Sequence, residues 1–203
     1  MRCTKIGNSS MQMLGGIFHG DKLLVSGELL YVYADPETQT SCRVPDGLRS
    51  LIEGFEKGEA MTRVKVGAWH ELERDASRVR TEVFVEEQGI AREDEWDEAD
   101  KSAVHAVVYN RLDMPLATGR LLVATPGVGK IGRMASKRVL RGSQLGRQVL
   151  NALVSKAKAR GDQEVILHAQ RSAAGFYAKS GFAERGSPFD EVGIAHIEMF
   201  KTL

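Results

Sequence analysis

The stretch that most limits how this chain can fold is residues 130–182, KIGRMASKRVLRGSQLGRQVLNALVSKAKARGDQEVILHAQRSAAGFYAKSGF. An apolar strand runs into the basic, glycine-containing turn RGSQLGR, and a long amphipathic helix leaves it. Leu145, Val149, Leu150, Leu153, Val154 and Ala157 recur at three- to four-residue spacing and so form one buried stripe. Gly161 stands where a left-handed residue ends such a helix. A second strand, a short helix and Gly181-Phe182 complete the unit. At the turn, three successive backbone N–H groups precede the first intrahelical hydrogen bond. Together with the helix dipole they make a binding place for a pyrophosphate.

The rest of the chain divides near Lys57-Gly58-Glu59-Ala60, a short polar junction. Before it, residues 2–6, 11–18 and 22–34 read as strands, the second interrupted by Gly15-Gly16, with hairpin chemistry at residues 19–21 and a turn at residues 35–38. Pro45 and Asp46 open a helix with Leu48, Leu51, Ile52 and Phe55 on one face. Beyond the junction, residues 62–69 alternate as a strand, and residues 71–87 form one helix with Leu72, Ala76, Val79, Val83 and Phe84 on its apolar face. The acidic loop AREDEWDEADK follows, then strands at 102–110, 114–124 and 127–136. Ser172 is placed to cap the FYAK helix, and two final strands lie near 182–185 and 196–201.

A net charge of +1 gives no reason to expect nucleic acid or an anionic membrane as partner. Cys3 and Cys42 are isolated thiols without metal-ligand spacing, which speaks against a disulfide or zinc framework. No apolar run approaches the ~18 residues of a membrane span. MRCTKIGNSS lacks the apolar core of a signal peptide, so the expectation is a cytoplasmic protein.

Taken as a whole, strand, Arg-x-x-x-x-Gly turn, helix, strand and Ala-x-x-Phe-Tyr-x-x-x-Gly-Phe resembles the GNAT superfamily of N-acetyltransferases over residues 62–203. The VFVEEQ run and the FAER-to-HIEMFK ending resemble its ElaA-like branch. The resemblance implies an α/β fold with a mixed, mostly antiparallel sheet flanked by helices. It also implies acetyl-CoA as co-substrate, no metal, and a small-molecule or peptide amine as acceptor. It assigns the pyrophosphate to Arg141, Gly142, Ser143, Gln144, Leu145, Gly146 and Arg147, and the pantetheine arm to the backbone of Met134 and Ala135. In one place the chain departs from the family's Arg/Gln-x-x-Gly-x-Gly/Ala pattern: Gln144 occupies the position of the middle glycine, and its side chain narrows the approach to the backbone.

Acetyl transfer needs a held thioester, a deprotonated amine and an acid for the departing thiolate. The resemblance assigns the acid to Tyr177, whose ordinary pKa of ~10 suits a thiolate leaving group. Adjacent helical residues point ~100° apart, so Phe176 is expected in the core and Tyr177 at the cleft. Candidates for the base are Glu82, with Glu86, Glu87 and the acidic loop nearby, and His168. Clustered carboxylates attract a cationic amine, although a solvated acidic surface has the same composition. His105 reads as a satisfied strand histidine.

The first segment, through IGNSSM, FHGDKLLVSGELLYVYADPETQ and VPDGLRSLIEGFE, resembles the C-terminal half of a hotdog-fold acyl-CoA thioesterase over residues 1–58. A partial hotdog of three antiparallel strands and a helix leaves a sheet face uncovered and seeking a partner. Two readings follow: a longer thioesterase–acetyltransferase fusion, or a remnant that packs on its neighbour or forms a homodimer. The alternative to catalysis is a non-catalytic acyl-CoA-binding module, motivated by Gln144.

Overall fold

Two units make up the chain, Met1–Met61 and Thr62–Leu203, and the computed structural model describes residues 1–191 and 193–203. In the first unit, β1 (Arg2–Ile6), β2 (Ser10–His19) and β3 (Lys22–Val32) form an antiparallel sheet in that order. Gly20, at φ +58°, supplies the left-handed residue that brings His19 opposite Lys22. Gly15 and Gly16 do not interrupt β2. They pair with Gly27 and Ser26, because hydrogen bonds of the backbone need no side chain, and the ladder shifts register only beyond them, between Ile17 and Phe18. Asp35 closes the next turn, its Oδ1 accepting from the N–H groups of Glu37 and Thr38 at 2.8 Å each. Behind Pro45 comes α1 (Asp46–Glu56). Every residue of β3 is exposed, Leu24, Leu30 and Val32 included.

In the second unit, the described residues form a seven-stranded sheet in the order β4-β5-β6-β7-β8-β10-β9. The strands are β4 (Thr62–Ala68), β5 (Val104–Asn110), β6 (Pro115–Thr125), β7 (Val128–Ser136), β8 (Glu164–Gln170), β9 (Ala183–Glu191) and β10 (Ile194–Thr202). The helices are α2 (Trp69–Arg80), α3 (Arg92–Glu95), α4 (Leu145–Arg160) and α5 (Ala174–Ala178). Leu145, Val149, Leu150, Leu153 and Ala157 of α4 are buried against Leu121, Ile131, Val165 and Leu167, while Val154 lies at the margin of the stripe. Each large aliphatic side chain so buried contributes about 1.5–3 kcal/mol. α4 lies so close to β6 that a Cβ on Gly119 would stand 2.9 Å from Val149 Cγ1 and 2.5 Å from Met134 Sδ. Gly161 ends the helix at φ +93°.

One pair of strands positions the site. All neighbours are antiparallel except β7 and β8, which run parallel and pair only from Val128↔Glu164 to Ile131↔Leu167. Beyond Ile131 the β7 ladder also bulges on its other side. Arg120 pairs with Gly132 and Thr118 with Ala135, so Arg133 and Met134 together oppose Gly119. Arg133 takes a left-handed φ of +50° there. A wedge therefore opens between the C-terminal ends of two parallel strands.

Three expectations need correction. The helix foreseen at residues 71–87 is α2 followed by a π-helical stretch, Thr81–Glu87. The final hairpin is longer than the apolar residues alone suggest, because β9 and β10 pair from Ala183↔Phe200 to Glu191↔Ile194. Ser172 does not cap α5. It sits inside a short 3-10 turn, Arg171–Ala173, and Ala173 precedes the helix without a side-chain cap.

Candidate active site

Two cavities occupy the wedge. One, of about 520 Å³, is lined by the turn before α4 (Arg141, Gly142, Gln144, Leu145, Gly146 and Arg147) together with Met134, Ser136 and Phe176. The other, of about 380 Å³, is lined by Asp94, Asp97, Arg120, Lys130, Arg133, His168 and Glu191, among others. Both share Gln88, Met134, Gln170, Ala173 and Tyr177, which mark the place where they meet.

The first cavity has the chemistry of an anion site. The first intrahelical bond of α4 runs from Gln148 N–H to Gln144 O, so the N–H groups of Leu145, Gly146 and Arg147 lie ahead of the helical ladder. Gly142 takes φ +89° and Gln144 takes φ +65°. The departure at Gln144 is thus conformational as well as steric, for a left-handed backbone is where glycine is at ease and a side chain is strained. At Gly146 an added Cβ would meet Phe176 at 3.4 Å and Ser136 Oγ at 3.5 Å, ordinary contact distances. Arg141 is engaged already. Its Nη1 and Nη2 donate to the two carboxylate oxygens of Glu87 at 2.7 Å each, and that bidentate bond holds the Glu87 carboxyl below its ordinary pKa. Past Ile131, β7 has no strand partner among the described residues on its β8 side, so the backbone around Met134 and Ala135 borders the wedge. These groups suit a pyrophosphate and its extended arm.

Tyr177 lines both cavities and is also part of the main core. Burial raises its pKa to about 12. The expected division between the two aromatic residues is therefore only half met: Tyr177 does reach the cleft but is the more deeply buried of the pair, and Phe176 is half-buried against the turn. The reason is that the α5 backbone turns Tyr177 inward toward Phe182, ring centroids 6.1 Å apart, at the bottom of the wedge.

Of the candidate bases, His168 lines the second cavity, with Nδ1 3.2 Å from Glu191 Oε2 and the ring edge-on to Phe189. Glu82 lines neither cavity. Its carboxylate accepts from Lys137 Nζ at 2.6 Å, because the π-helical stretch turns it toward the end of β7.

The acidic loop is only in part a solvated charge run, for Glu93, Asp94, Asp97 and Glu98 are exposed. Glu95 and Asp100 are buried, and Arg80, at the end of α2, reaches both. Arg80 Nη1 donates to Asp100 Oδ1 at 2.8 Å, its Nε donates to Glu95, and Trp96 lies 4.3 Å from its guanidinium carbon. Arg120 donates to Asp97 through both terminal nitrogens, at 2.6 and 2.7 Å, and to Asp100 at 2.8 Å. Arg133 reaches Glu95 O at 3.1 Å, which anchors the bulge of β7 to the loop. Burial pushes Asp100 up, but the hydrogen bonds from Arg80 and Arg120 outweigh it and hold it below the ordinary carboxylate value. The bond from Arg120 holds Asp97 down as well. His105 donates from Nε2 to Asp100 O at 2.9 Å, and burial keeps its pKa below the ordinary value. Sequence reasoning missed these arginines. The signal was present at Arg80, which stands four residues after Ala76 and eight after Leu72 on the apolar stripe of α2.

A wedge between two parallel strands, a helix N-terminus on one side of it and a charged cavity on the other define an acyl-CoA N-acyltransferase fold. The chain belongs to the acetyltransferase (GNAT) domain family, which it matches over residues 72–203. Among curated relatives it is similar to the uncharacterized N-acetyltransferase YjcF of Bacillus subtilis. The two are 36% identical over 129 residues, covering 63% of this chain and 91% of that protein. Among solved structures it resembles Escherichia coli ElaA, at 26% identity and a TM-score of 0.62, covering 70% of this chain and 99% of that one. An acyl-CoA N-acyltransferase from Pseudomonas aeruginosa is similar at 29% identity and a TM-score of 0.61, covering 69% and 99%. The family match lies wholly in the second unit, so the thioesterase-like resemblance of the first gains no support from it. No helix among the described residues is long and apolar enough to cross a membrane.

Proposed function

We propose that this protein is an acetyl-CoA-dependent N-acetyltransferase that acts by direct attack of an amine. The observation that carries the reading is the meeting of the two cavities at Tyr177, one with the amides of a helix N-terminus and the other with titratable side chains. The free N–H groups of Leu145, Gly146 and Arg147, with Arg141 and Arg147, would hold the pyrophosphate, and the unpaired edge of β7 the pantetheine arm. The co-substrate supplies an activated thioester carbonyl.

The acceptor amine gives up a proton to become a nucleophile, and His168 is the base that the geometry favours, with Glu191 orienting its ring. The amine nitrogen bonds to the thioester carbon as the carbon–sulfur bond breaks, and the electron pair leaves on sulfur. Tyr177 donates its hydroxyl proton to that thiolate and is reprotonated as the nitrogen sheds its extra proton, so one proton is released overall. Burial keeps Tyr177 protonated at working pH but makes its hydroxyl a weaker acid, so the proton passes to the thiolate as the tyrosine oxygen takes up the one shed by the nitrogen.

Tyr177→Phe tests the reading. The ring packing is retained, so affinity for acetyl-CoA should change little, while turnover should fall by roughly a hundred- to ten-thousandfold. In the wild type the high-pH limb of the rate profile should lie above the ordinary tyrosine range, toward about 12, and the variant should lose it. Wild-type turnover with an unshifted profile in the variant would remove Tyr177 from the chemistry.

A further inference from the structure

We infer that the acceptor is an amine that also carries a carboxylate, and that Lys130 binds the carboxylate. The inference rests on the acceptor cavity being the one that holds His168. Lys130 lines that cavity and is half-buried. Two other cations line it, and both are committed: Arg120 to Asp97 and Asp100, Arg133 to Glu95 and Asp97. The Lys130 side chain makes no ion pair or hydrogen bond with any described residue. A half-buried ammonium left without a carboxylate gains most from an anionic group brought in by a ligand.

The direction of the side chain follows from the ladder. Lys130 pairs in register with Ile166 of β8, and His168 is two residues beyond Ile166 on the same strand. All three therefore project from one face of the sheet, opposite to Ile131 and Leu167, which are buried under α4. Past that level the strands separate toward Gln170 and Tyr177. A molecule lying along β8 would meet Lys130 first and then the His168–Glu191 pair, about 7 Å further on by the rise of two strand residues. Positive charge stands at one end and a histidine–carboxylate pair at the other, the arrangement that complements an anion and an ammonium on one small molecule. The spacing favours an acceptor whose amine and carboxylate are several bonds apart.

The experiment compares matched acceptors with the full-length chain and acetyl-CoA. The probes are 4-aminobutanoic acid and glycylglycine, their carboxamides, and 1,4-diaminobutane, with acetylated product measured by mass spectrometry. Wild type should prefer each acid to its amide by roughly tenfold or more in kcat/KM, mostly through KM, as one charge-assisted bond implies. Lys130→Gln should abolish that preference while the amides are acetylated as before, which also shows that the variant is folded. Lys130→Glu should turn the preference toward the diamine. Equal use of acid and amide by wild type, or an acid-to-amide ratio unmoved by both substitutions, would overturn the inference and leave amine transfer standing. Acetylation of none of these amines would overturn both.

Discussion

Asp100→Asn isolates what the buried ion network contributes. In the wild type, Asp100 Oδ1 accepts from Arg80 Nη1 and from Arg120 Nη1, both at 2.8 Å, and the Asp100 side chain is 3% exposed. The asparagine keeps the shape and removes one negative charge from between two guanidinium groups that water does not reach. Removing one partner of a buried pair costs about 3–5 kcal/mol, because the charge left behind is uncompensated. Here Arg80 keeps Glu95 and Arg120 keeps Asp97, so the lower end, about 3 kcal/mol, is expected. Asp97→Asn is the control. It removes the same charge from the same arginine, but the Asp97 side chain is 39% exposed, and water can replace what is lost, so the cost should be about 1 kcal/mol or less. The assay is urea unfolding followed by tryptophan fluorescence. Trp69 and Trp96, the chain's two tryptophans, both lie beside Arg80, so the signal reports on this unit. With an m-value of about 1.5 kcal/mol/M, Asp100→Asn should lower the midpoint by about 2 M and Asp97→Asn by under about 0.7 M. Equal shifts in the two variants would refute the argument from burial.

The proposed pyrophosphate turn yields two gains and one loss: Gln144→Gly, which relaxes the left-handed strain, and Glu87→Gln, which releases Arg141 from its carboxylate, should each tighten CoA binding in calorimetry, and Arg141→Gln should weaken it. Three unchanged dissociation constants would place the cofactor elsewhere. Acid should destabilise the second unit in two stages. His105 has a lowered pKa, so the unfolded chain binds its proton first and stability declines as pH falls below about 6.5. Asp97 and Asp100 are held down, so their contribution is present above about pH 4 and is lost as pH falls further through their folded values. His105→Gln should remove the first stage in urea midpoints measured against pH and leave the second; a first stage that survives the substitution would contradict the assignment. Residues 1–61 expressed alone should self-associate or remain poorly folded, since Ile17, Phe18, Leu24, Leu30 and Val32 are exposed there. A monomeric fragment with a cooperative melt by circular dichroism and sedimentation would show otherwise.

What could be read from sequence was local. The α4 stripe, the glycine at its end, the turn before it and Phe176-Tyr177 are each written within a few residues, because helix period, capping and turn chemistry act over one or two turns of chain. That is why the strand–turn–helix unit and the exposed N-terminal end of its helix were legible, and why the departure at Gln144 could be located at the residue where the backbone is left-handed. The acidic loop was not legible in the same way. Its composition is that of a solvated surface, and Glu95 and Asp100 become interior groups only because Arg80 and Arg120, 15 and 20 residues away, arrive from a helix and a strand. The partners of the π-helical stretch are likewise distant in sequence, Lys137 for Glu82 at 55 residues and Arg141 for Glu87 at 54. The wedge itself is a matter of register: β7 and β8 pair as far as Ile131 and then part. Sequence thus determined which segments are helix, strand and the glycine-containing turn that opens α4. Tertiary structure decided which charges are neutralised and which, like Lys130, have no ion-pair partner among the described residues, because pairing over such distances depends on how the sheet is assembled and not on any pattern along the chain.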